Sequence, residues 1–408
     1  MFRSVRSLAA LLIFAFALPA VAQESEEDAR IQQKVKEEVE RQLAQRWTAG
    51  LNPNGGGLFV KSPDGKTLFR LYGYAQPTFT YTDEDNGTTF EETDFRVRRA
   101  RIDFTVDYDD RYKLFLEYDG ASSDGTALVE AWGQIAYVRG RHYLRFGKFI
   151  TPFSTENLRS SRAMDTVERY LALNAMFGLP ALDVQLGPML WGYLDPGKKV
   201  SYSVGVWNGN ASAGAGVVNG QRGNARDNNG DKEYQGRVNV QWTDELTTGV
   251  AFDIDREEDQ TLTIPSYSGG RFLSIPVKGD RQGWNLDAHW KRGKLNLDTE
   301  WLTFDFEDSG AELTGGYVQA MYWARGSEAG GVQPVLRAET AELSGDALRG
   351  IDGETVVAVT AGANVWFNGW TRWQINVIGE RFDGRGNGTF RAGSGWRPTV
   401  LNQLQIKF

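Results

Sequence analysis

The chain ends in Val400-Leu401-Asn402-Gln403-Leu404-Gln405-Ile406-Lys407-Phe408, where apolar and polar residues alternate up to the final aromatic. In an extended strand, Leu404, Ile406 and Phe408 share one face. Gln403 and Gln405 then fall on the opposite face. This pattern is typical of a strand with one side toward lipid and the other toward water. For this segment alone, an ordinary half-buried strand is the alternative.

The N-terminus indicates export. Arg3 and Arg6 precede an apolar run from Leu8 to Leu18, and Ala20-Val21-Ala22 forms a small-residue cleavage site. These features predict a secretory signal peptide over residues 1–22, absent from the mature chain. After it, no stretch approaches the roughly 18 uninterrupted apolar residues of a membrane helix.

Composition fits a barrel of strands with aromatic ends and tight turns. The chain has 47 Gly, 22 Phe, 15 Tyr and 13 Trp, in keeping with aromatic belts at both membrane interfaces. It has no cysteine, which excludes thiolate nucleophiles, zinc–thiolate centres and iron–sulfur clusters. The net charge is −8, or about −10 without the two leader arginines, so we expect no nucleic-acid partner.

Residues 23–57 precede the strands and have a different pattern. Ile31, Val35, Val39 and Leu43 recur every four residues within a densely charged run, which predicts a periplasmic helix with a narrow apolar stripe. A short coiled coil between protomers and a mobile charged tail remain equal alternatives. The Gly-rich segment 52–57 is expected to be a flexible linker into a barrel domain spanning residues 58–408.

Between Thr67 and Phe408, sixteen segments alternate and are separated in turn by short and long polar connections. This alternation of connections is typical of periplasmic turns and external loops. A β-sandwich shows the same strand pattern, but the leader and the aromatic strand ends favour a membrane barrel. We therefore predict an all-β fold, a 16-stranded antiparallel transmembrane β-barrel with a short N-terminal periplasmic helical segment. A barrel of this size is wide enough for an aqueous channel.

Strand parity predicts which charged residues face the channel. The basic residues on inward faces are Arg99, Arg101, Lys113, Arg145, Arg237, Arg337, Arg372 and Arg397. The carboxylates on the same faces are Asp103, Glu117, Glu130, Asp253, Asp287, Asp298, Glu300, Glu339 and Glu380. Cross-strand ion pairing is the alternative role for each of these arginines. Arg96 and Arg98 have lipid-facing parity and are expected to lie above the membrane.

Three long connections differ in pattern. The loop from Thr151 to Ala181 carries Glu156, Arg159, Arg162, Asp165, Glu168 and Arg169 at spacings of three and four. On a helical turn these spacings place several guanidinium groups along one side. Folded into the lumen, such a loop would form the constriction, and a solvated external helix is the alternative. The loops 209–232 and 256–280 are rich in Gly, Asn and charge and are expected to be exposed and mobile.

Three motifs resemble the phosphate-selective porin O and P family. They are Phe95-Arg96-Val97-Arg98-Arg99-Ala100-Arg101-Ile102, then Phe146-Gly147-Lys148-Phe149-Ile150-Thr151-Pro152-Phe153-Ser154 with Glu168-Arg169 in the following loop, and Val206-Trp207-Asn208-Gly209. The resemblance covers roughly Leu68 to Phe408. It implies a homotrimeric outer-membrane porin whose third external loop folds inward, with lumen arginines and lysines that attract phosphate. The terminal Phe408 also resembles the signal that outer-membrane barrels present to the barrel-assembly machinery.

The resulting hypothesis is a water-filled channel in the cell outer membrane for passive diffusion of small solutes, with a preference for anions such as phosphate. The expected pore-lining or solute-binding residues are Arg99, Arg101, Lys113, Arg145, Arg159, Arg162, Arg169, Arg237, Arg337 and Arg372. A general or cation-preferring porin is the alternative, given the many carboxylates on the same faces. A barrel enzyme of the lipase or protease type is the alternative from another class. With histidine only at His142 and His289, we expect no catalytic triad, metal site or cofactor.

Overall fold

The computed structural model describes residues 26–52, 56–82, 93–121, 127–177, 179, 182, 184–209, 230–268, 270–345, 354–384 and 395–408. The predicted signal peptide and most of the loop 209–232 lie outside these residues. The chain divides into two compact units, Met1–Trp47 and Thr48–Phe408, and each is described by itself.

The first unit contains one helix, α1 (Glu26–Ala44). Its sequence is rich in Glu, Lys, Gln and Arg, which are strong helix formers, and Arg41 pairs with Glu38 one turn earlier at 2.7 Å. Ile31 and Val35 on the predicted stripe are 54% and 56% exposed. The helix is therefore as expected, and a coiled coil along this stripe stays a prediction. In the described part of the chain, no helix is long and apolar enough to cross a membrane.

The second unit is built on sixteen long strands. They are β1 (Thr67–Thr82), β2 (Thr93–Tyr108), β3 (Tyr112–Asp119), β4 (Ala127–Val138), β5 (His142–Ile150), β6 (Val184–Tyr193), β7 (Val200–Trp207), β8 (Glu233–Gln241), β9 (Leu246–Pro265), β10 (Arg271–Arg292), β11 (Leu295–Phe306), β12 (Ala311–Tyr322), β13 (Gly330–Gly345), β14 (Glu354–Trp366), β15 (Thr371–Asp383) and β16 (Arg397–Lys407). Each strand pairs antiparallel with the next, and β16 pairs with β1. The sheet is closed, so the predicted 16-stranded antiparallel barrel is confirmed.

The last residue completes the closure. The Gly73 amide donates to the Phe408 carbonyl at 3.3 Å, and the Phe408 amide donates to the Gly73 carbonyl at 3.0 Å. A side chain at Gly73 would not fit, because a Cβ there would lie 2.3 Å from the Arg101 carbonyl oxygen and 3.1 Å from the Phe408 ring. The terminal aromatic thus belongs to the seam of the barrel.

Three short strands accompany the barrel. Thr48–Leu51 pairs with Leu58–Lys61, and Leu58–Lys61 continues the sheet along β1. The described residues of the predicted linker 52–57 therefore join two paired strands. Arg325–Ser327 pairs with the first residues of β13 within a turn.

The two faces of the barrel differ as strand parity predicts. On the outer face, the side chains of Trp284, Leu286 and Leu336 are 55%, 60% and 57% exposed. Gln403 and Gln405 on the inner face of β16 are buried. The alternation that indicated a membrane strand is therefore also the in–out alternation of the barrel.

A large apolar cluster fills part of the interior toward the loop end. It combines inner-wall residues such as Leu302, Phe304 and Leu313 with Leu171 and Met176 of the third loop. The inner face is thus not uniformly polar, which parity alone did not predict. The apolar wall residues are buried because protein segments, and not water, cover them.

One of these covering segments is the hairpin formed by the outer halves of β9 and β10. Leu262, Ile264 and Phe272 from this hairpin are fully buried in the apolar cluster. The pairing of β9 with β10 shifts in register after Glu257. On the opposite strand, Gly279 has a φ of +97°, and a Cβ at this position would lie 2.5 Å from the Asp308 amide nitrogen. The prediction that residues 256–280 form an exposed, mobile loop was wrong.

A β-bulge in β2 changes the predicted orientation of two arginines. Gln76 is opposite Arg99, but Pro77 is opposite Val97, so Arg98 is the extra residue. Proline cannot donate to the ladder, which explains a bulge at this point. Beyond it Arg96 lies opposite Thr78, which is buried on the inner face. The assignment of Arg96 and Arg98 to the lipid-facing side was wrong.

Candidate pore lining

The third external loop, between β5 and β6, lies inside the barrel. It contains the short helices α2 (Thr155–Leu158) and α3 (Leu171–Met176), separated by a 3₁₀ turn at Ser161–Ala163. The Ser154 hydroxyl caps α2 by accepting from the Asn157 amide at 3.1 Å. Serine is a favoured residue at this position because it satisfies an amide that the helix leaves free.

Wall arginines hold the backbone of this loop. Arg237 donates to the Phe153 carbonyl at 2.9 Å, and Arg372 donates to the Met164 carbonyl at 2.8 Å. Arg337 donates to the Glu168 carbonyl at 3.3 Å. These arginines are buried, so three predicted pore-lining residues are in contact with the loop that narrows the pore.

Wall carboxylates bind the same loop by accepting hydrogen bonds from its backbone amides. Glu300 accepts from the Glu156 amide and Glu339 accepts from the Leu171 amide, both at 3.0 Å. The side chain of Glu156 in turn forms a buried ion pair with Arg337. Burying such groups is tolerated because each one is hydrogen bonded, and Glu156 and Arg337 also form an ion pair.

Two further predicted residues are paired with wall carboxylates. Arg101 contacts Glu117 at 2.6 Å and Asp119 at 3.1 Å. The nitrogen of Lys113 lies 3.8 Å from Asp107. Arg101 and Lys113 thus form cross-strand ion pairs, which was the alternative to solute contact.

Arg159 pairs with Asp165 of its own loop at 2.6 Å and with Asp298 of the wall at 3.4 Å. The loop therefore does not present its guanidinium groups along one helical side as its spacing suggested. Its charges are distributed between the wall and the loop itself.

Several arginines surround the single carboxylate of Glu168. Arg98 binds the Glu168 carboxylate through two nitrogens, at 2.8 and 2.9 Å. Burial acts to raise the pKa of Glu168, but the charge and hydrogen bonds of Arg98, followed by the charges of Arg99 and Arg96, hold this pKa at about 2. Glu168 is therefore ionised at neutral pH and ties the loop to the wall.

Arg99 and Arg169 lie in the same region. Arg99 is buried and donates to the Gln76 amide oxygen at 3.1 Å. Arg169 donates to the carbonyl of Arg159 at 3.4 Å, and its guanidinium lies 5.4 Å from the Phe177 ring. The structure thus brings Arg98 and Arg99 of the wall and Arg169 of the loop into one region around Glu168.

Two of the predicted arginines combine partial exposure with the lack of an acidic partner. Within the described residues, Arg145 and Arg162 form no ion pair. The Arg162 guanidinium lies 4.6 Å from the Tyr72 ring centroid, and that of Arg145 lies 3.9 Å from the Trp132 ring centroid. Both side chains are half-buried and line open space.

That open space consists of two cavities with no lining residue in common. The first, of about 680 Å³, lies beneath the third loop and includes Arg159, Arg162, Arg372 and Asp298 in its lining. The second, of about 700 Å³, lies along β2 to β6 and includes Arg145. A mixed-sign lining in the first cavity is suited to polar solutes of either charge.

Sequence reasoning missed several residues of this interior. Arg98 was missed because the bulge shifts its side, although Pro77 in a strand is a signal of such a bulge. Trp132 and Trp191 have inward parity and could have been found by applying the parity rule to aromatic residues. Tyr267 carries no sequence signal, because its contacts depend on how the long hairpin folds.

The two histidines occupy separate places. His289 contacts Asp298 at 3.0 Å and Asp287 at 3.3 Å, while His142 contacts the Tyr202 hydroxyl at 3.3 Å. Among the described hydrogen bonds, none joins His289 to a serine or threonine. His289 therefore has acidic partners and no observed nucleophile.

Comparisons with known proteins agree with this architecture. The family model for phosphate-selective porin O and P matches residues 69–394. A sequence comparison with curated proteins returned no match.

Solved outer-membrane proteins share the fold. OmpF of Salmonella typhi in complex with daunomycin has a TM-score of 0.59 and 11% identity over 85% of this chain and 98% of that chain. The trimer form of in-vitro-folded OmpT of Vibrio cholerae has a TM-score of 0.56 and 11% identity over 84% of this chain and 100% of that chain. The outer membrane channel DcaP of Acinetobacter baumannii has a TM-score of 0.55 and 12% identity over 85% of this chain and 99% of that chain.

At these identities the solved structures establish the fold alone, whereas the family match covers most of the chain. With the closed barrel and the inward loop, the chain belongs to the phosphate-selective porin O and P family and forms an outer-membrane channel for passive diffusion.

Proposed function

We propose that this channel prefers small anions, phosphate among them, and that Arg145 and Arg162 are its main anion contacts. The observation that carries the proposal is that these two lumen arginines are half-buried beside open space and, within the described residues, have no acidic partner. Each retains guanidinium N–H groups that can donate to an oxyanion.

The other predicted residues have a different role in this proposal. Arg237, Arg337 and Arg372 position the third loop, and Arg101, Lys113 and Arg159 are balanced by carboxylates. Arg99 and Arg169 add positive potential around Glu168. Anion preference would then arise from a small number of unbalanced charges and would be moderate.

A general or cation-preferring porin is the second candidate. It is favoured by the lining of the cavity beneath the third loop, where Asp165, Asp244, Glu245, Asp298 and Glu328 are all present. Five carboxylates there compete with the arginines for control of the local potential.

Reversal potentials in planar bilayers across a KCl gradient decide between the two. We expect an anion-selective potential that decreases with salt, because the Debye length falls from about 10 Å at 0.1 M to about 3 Å at 1 M. The double variant Arg145→Gln/Arg162→Gln should lose this preference and keep an open channel. The control Arg30→Gln/Arg41→Gln changes the same charge on α1 and should behave as the unmodified protein. Cation-selective currents in the unmodified protein would refute the anion preference.

We propose a homotrimer as the assembled state, on the basis of the family and of the trimer form known for OmpT of Vibrio cholerae. Light scattering of the detergent-solubilised protein should give three chains per particle. A mass of one chain under conditions that retain channel activity would contradict this proposal.

We also propose that the protein has no hydrolytic activity. The barrel enzyme hypothesis would require a nucleophile close to His289 or His142, and the contacts described above supply only aspartates and a tyrosine. A lipid and peptide hydrolysis assay on the folded protein tests this, and turnover that is lost in His289→Gln would support the enzyme.

A further inference from the structure

The second cavity, called here the aromatic recess, has an unusual combination of side chains. It lies on the inner wall of β2 to β6, at the end near the short turns. Its lining includes Lys113, Trp132, Gln134, Tyr143, Arg145 and Trp191. The recess therefore offers basic groups and aromatic rings together.

The guanidinium of Arg145 is held in a fixed position there. Its Cζ lies 3.9 Å from the ring centroid of Trp132 and 5.9 Å from that of Trp191. Its Nε and Nη2 donate to the Gln134 amide oxygen at 3.3 and 3.1 Å, and Trp191 Nε1 donates to the same oxygen at 2.9 Å. One amide oxygen thus fixes both the arginine and the indole.

Most of the donor capacity of Arg145 is unused. A guanidinium has five N–H groups, and within the described residues only two of them have a protein acceptor. The nearby carboxylate of Glu130 accepts from Trp132 Nε1 at 3.1 Å and forms no ion pair with Arg145. A preorganised cation with free N–H groups is suited to a carboxylate, which accepts two of them side by side.

The remaining charges of the recess do not neutralise this cation. The carboxylate of Asp107 is shared between Arg70 at 2.7 Å and Lys113 at 3.8 Å. The basic lining residues are Arg111, Lys113, Arg139 and Arg145, and the acidic ones are Asp107 and Asp110. The recess has an excess of positive charge.

The rings define the rest of the ligand. Tyr143 and Trp191 stack at 4.2 Å with an interplanar angle of 15°, and both remain partly exposed. Planar apolar groups bind to such surfaces by offset or edge contacts. Inorganic phosphate would make no use of the rings, and a neutral sugar would leave the guanidinium without a counter-charge.

We propose that the aromatic recess binds an aromatic monocarboxylate in transit, with the carboxylate on Arg145 and the ring against Tyr143 and Trp191. This inference rests on the proposed function, because the ligand reaches the recess through the channel. It narrows the solute class from small anions in general to anions with a planar ring.

Binding to the full folded protein in detergent can be measured by calorimetry with three probes: benzoate, acetate and benzyl alcohol. Benzoate should bind about tenfold more tightly than either of the others, because only it engages both the cation and the rings. Equal affinities for benzoate and acetate would overturn the inference without any variant having to fold.

Two variants separate the contribution of the Arg145 cation from that of the aromatic rings. Arg145→Gln should weaken benzoate about tenfold, whereas Trp191→Leu should weaken benzoate and leave acetate unchanged. The matched controls are Arg256→Gln at the loop end and Trp284→Leu on the lipid face, and neither should alter benzoate binding. Unchanged benzoate affinity in folded Arg145→Gln would also overturn the inference.

Bilayer currents distinguish this failure from failure of the proposed function. If the folded protein conducts KCl but does not discriminate benzoate from acetate, the recess inference fails and the porin stands. If the folded protein is cation-selective across a KCl gradient, the proposed anion preference itself fails.

Discussion

At the scale of single residues, pairing decides what an inward arginine does. Arg337 and Arg145 have the same parity and the same predicted role. Arg337 forms a buried ion pair with Glu156, which is 181 positions away in the sequence, while Arg145 retains free donors. Parity assigns a face to each side chain, but the partner across the lumen depends on the folded loop.

The Glu168–Arg98 contact gives a pH-dependent prediction. The pKa of Glu168 lies at about 2, below its ordinary value of 4.5. A lowered carboxyl pKa contributes stability above pH 4.5 that is lost as the pH falls through 2. The Glu168–Arg98 contact should therefore be intact at pH 5 and be lost between pH 4.5 and 2, while the other wall contacts keep the rest of the third loop in place.

A fluorescent label can follow the loss of this contact, because the chain has no cysteine of its own and Ser160→Cys in the exposed part of the loop offers one attachment site. In Arg98→Gln, the midpoint of the fluorescence change should move above 2 toward 4.5, because the main group that lowers the pKa is removed. Glu168→Gln serves as the control without a titrating group. Identical midpoints with and without Arg98 would show that the contact does not hold the loop.

At the scale of elements, the long hairpin at the ends of β9 and β10 crosses the interior and contacts the opposite wall. The Tyr267 hydroxyl reaches the Glu339 carboxylate at 2.8 and 2.9 Å and the Arg169 carbonyl at 2.7 Å. Burial, followed by the charge of Glu339, raises the pKa of Tyr267 well above its ordinary value. The hydroxyl therefore keeps its proton and donates it, while the Tyr267 amide donates to Glu380 at 3.0 Å.

Tyr267→Phe should loosen this hairpin and the third loop beneath it. The substitution removes a buried O–H group that lies within hydrogen-bond distance of the Glu339 carboxylate and the Arg169 carbonyl, at a cost of about 1–3 kcal/mol. We expect noisier single-channel currents and faster tryptic cleavage after Arg271. Tyr234→Phe on the lipid face is the matched control. Unchanged noise and cleavage in Tyr267→Phe would mean that the hydroxyl does not restrain the hairpin.

The sequence was sufficient for most strands and insufficient for this hairpin, for physical reasons. Alternation reports local exposure. The alternating segments from Tyr112 to Asp119, from Ala127 to Val138 and from Leu295 to Phe306 therefore predict β3, β4 and β11 with the bounds observed. Leu262 and Ile264 also alternate with polar residues, but the acidic and Gly-rich residues around them favoured a solvated loop. What covers an apolar strand face is a tertiary property, and the local pattern does not contain it.

At the scale of the whole molecule, one seam converts a sheet into a channel. β16 and β1 must pair because an open edge in lipid would leave backbone groups without hydrogen-bond partners. The seam extends to the final residue, where Phe408 and Gly73 exchange both backbone hydrogen bonds. The interior is then shaped by segments that fold back into it, and the described residues enclose the two cavities of similar volume discussed above.

The terminal aromatic therefore has two possible contributions, one to the stability of the seam and one to recognition by the barrel-assembly machinery. The backbone bonds of Phe408 survive replacement of its side chain, and the ring is already 37% exposed. We expect the side chain to act chiefly in recognition. Phe408→Ser should then reduce folded protein in the outer membrane several-fold, while the variant refolded in detergent keeps nearly the unmodified stability.

The amount of heat-modifiable barrel in the membrane fraction gives the first quantity, and urea unfolding of refolded protein gives the second. Phe367→Ser replaces an exposed aromatic at the same end of the barrel and should leave the membrane amount unchanged, because it lies outside the terminal strand. If Phe408→Ser lowers the unfolding midpoint as much as it lowers the membrane amount, the ring acts by holding the seam. If it lowers neither, the aromatic end of this strand is incidental to assembly.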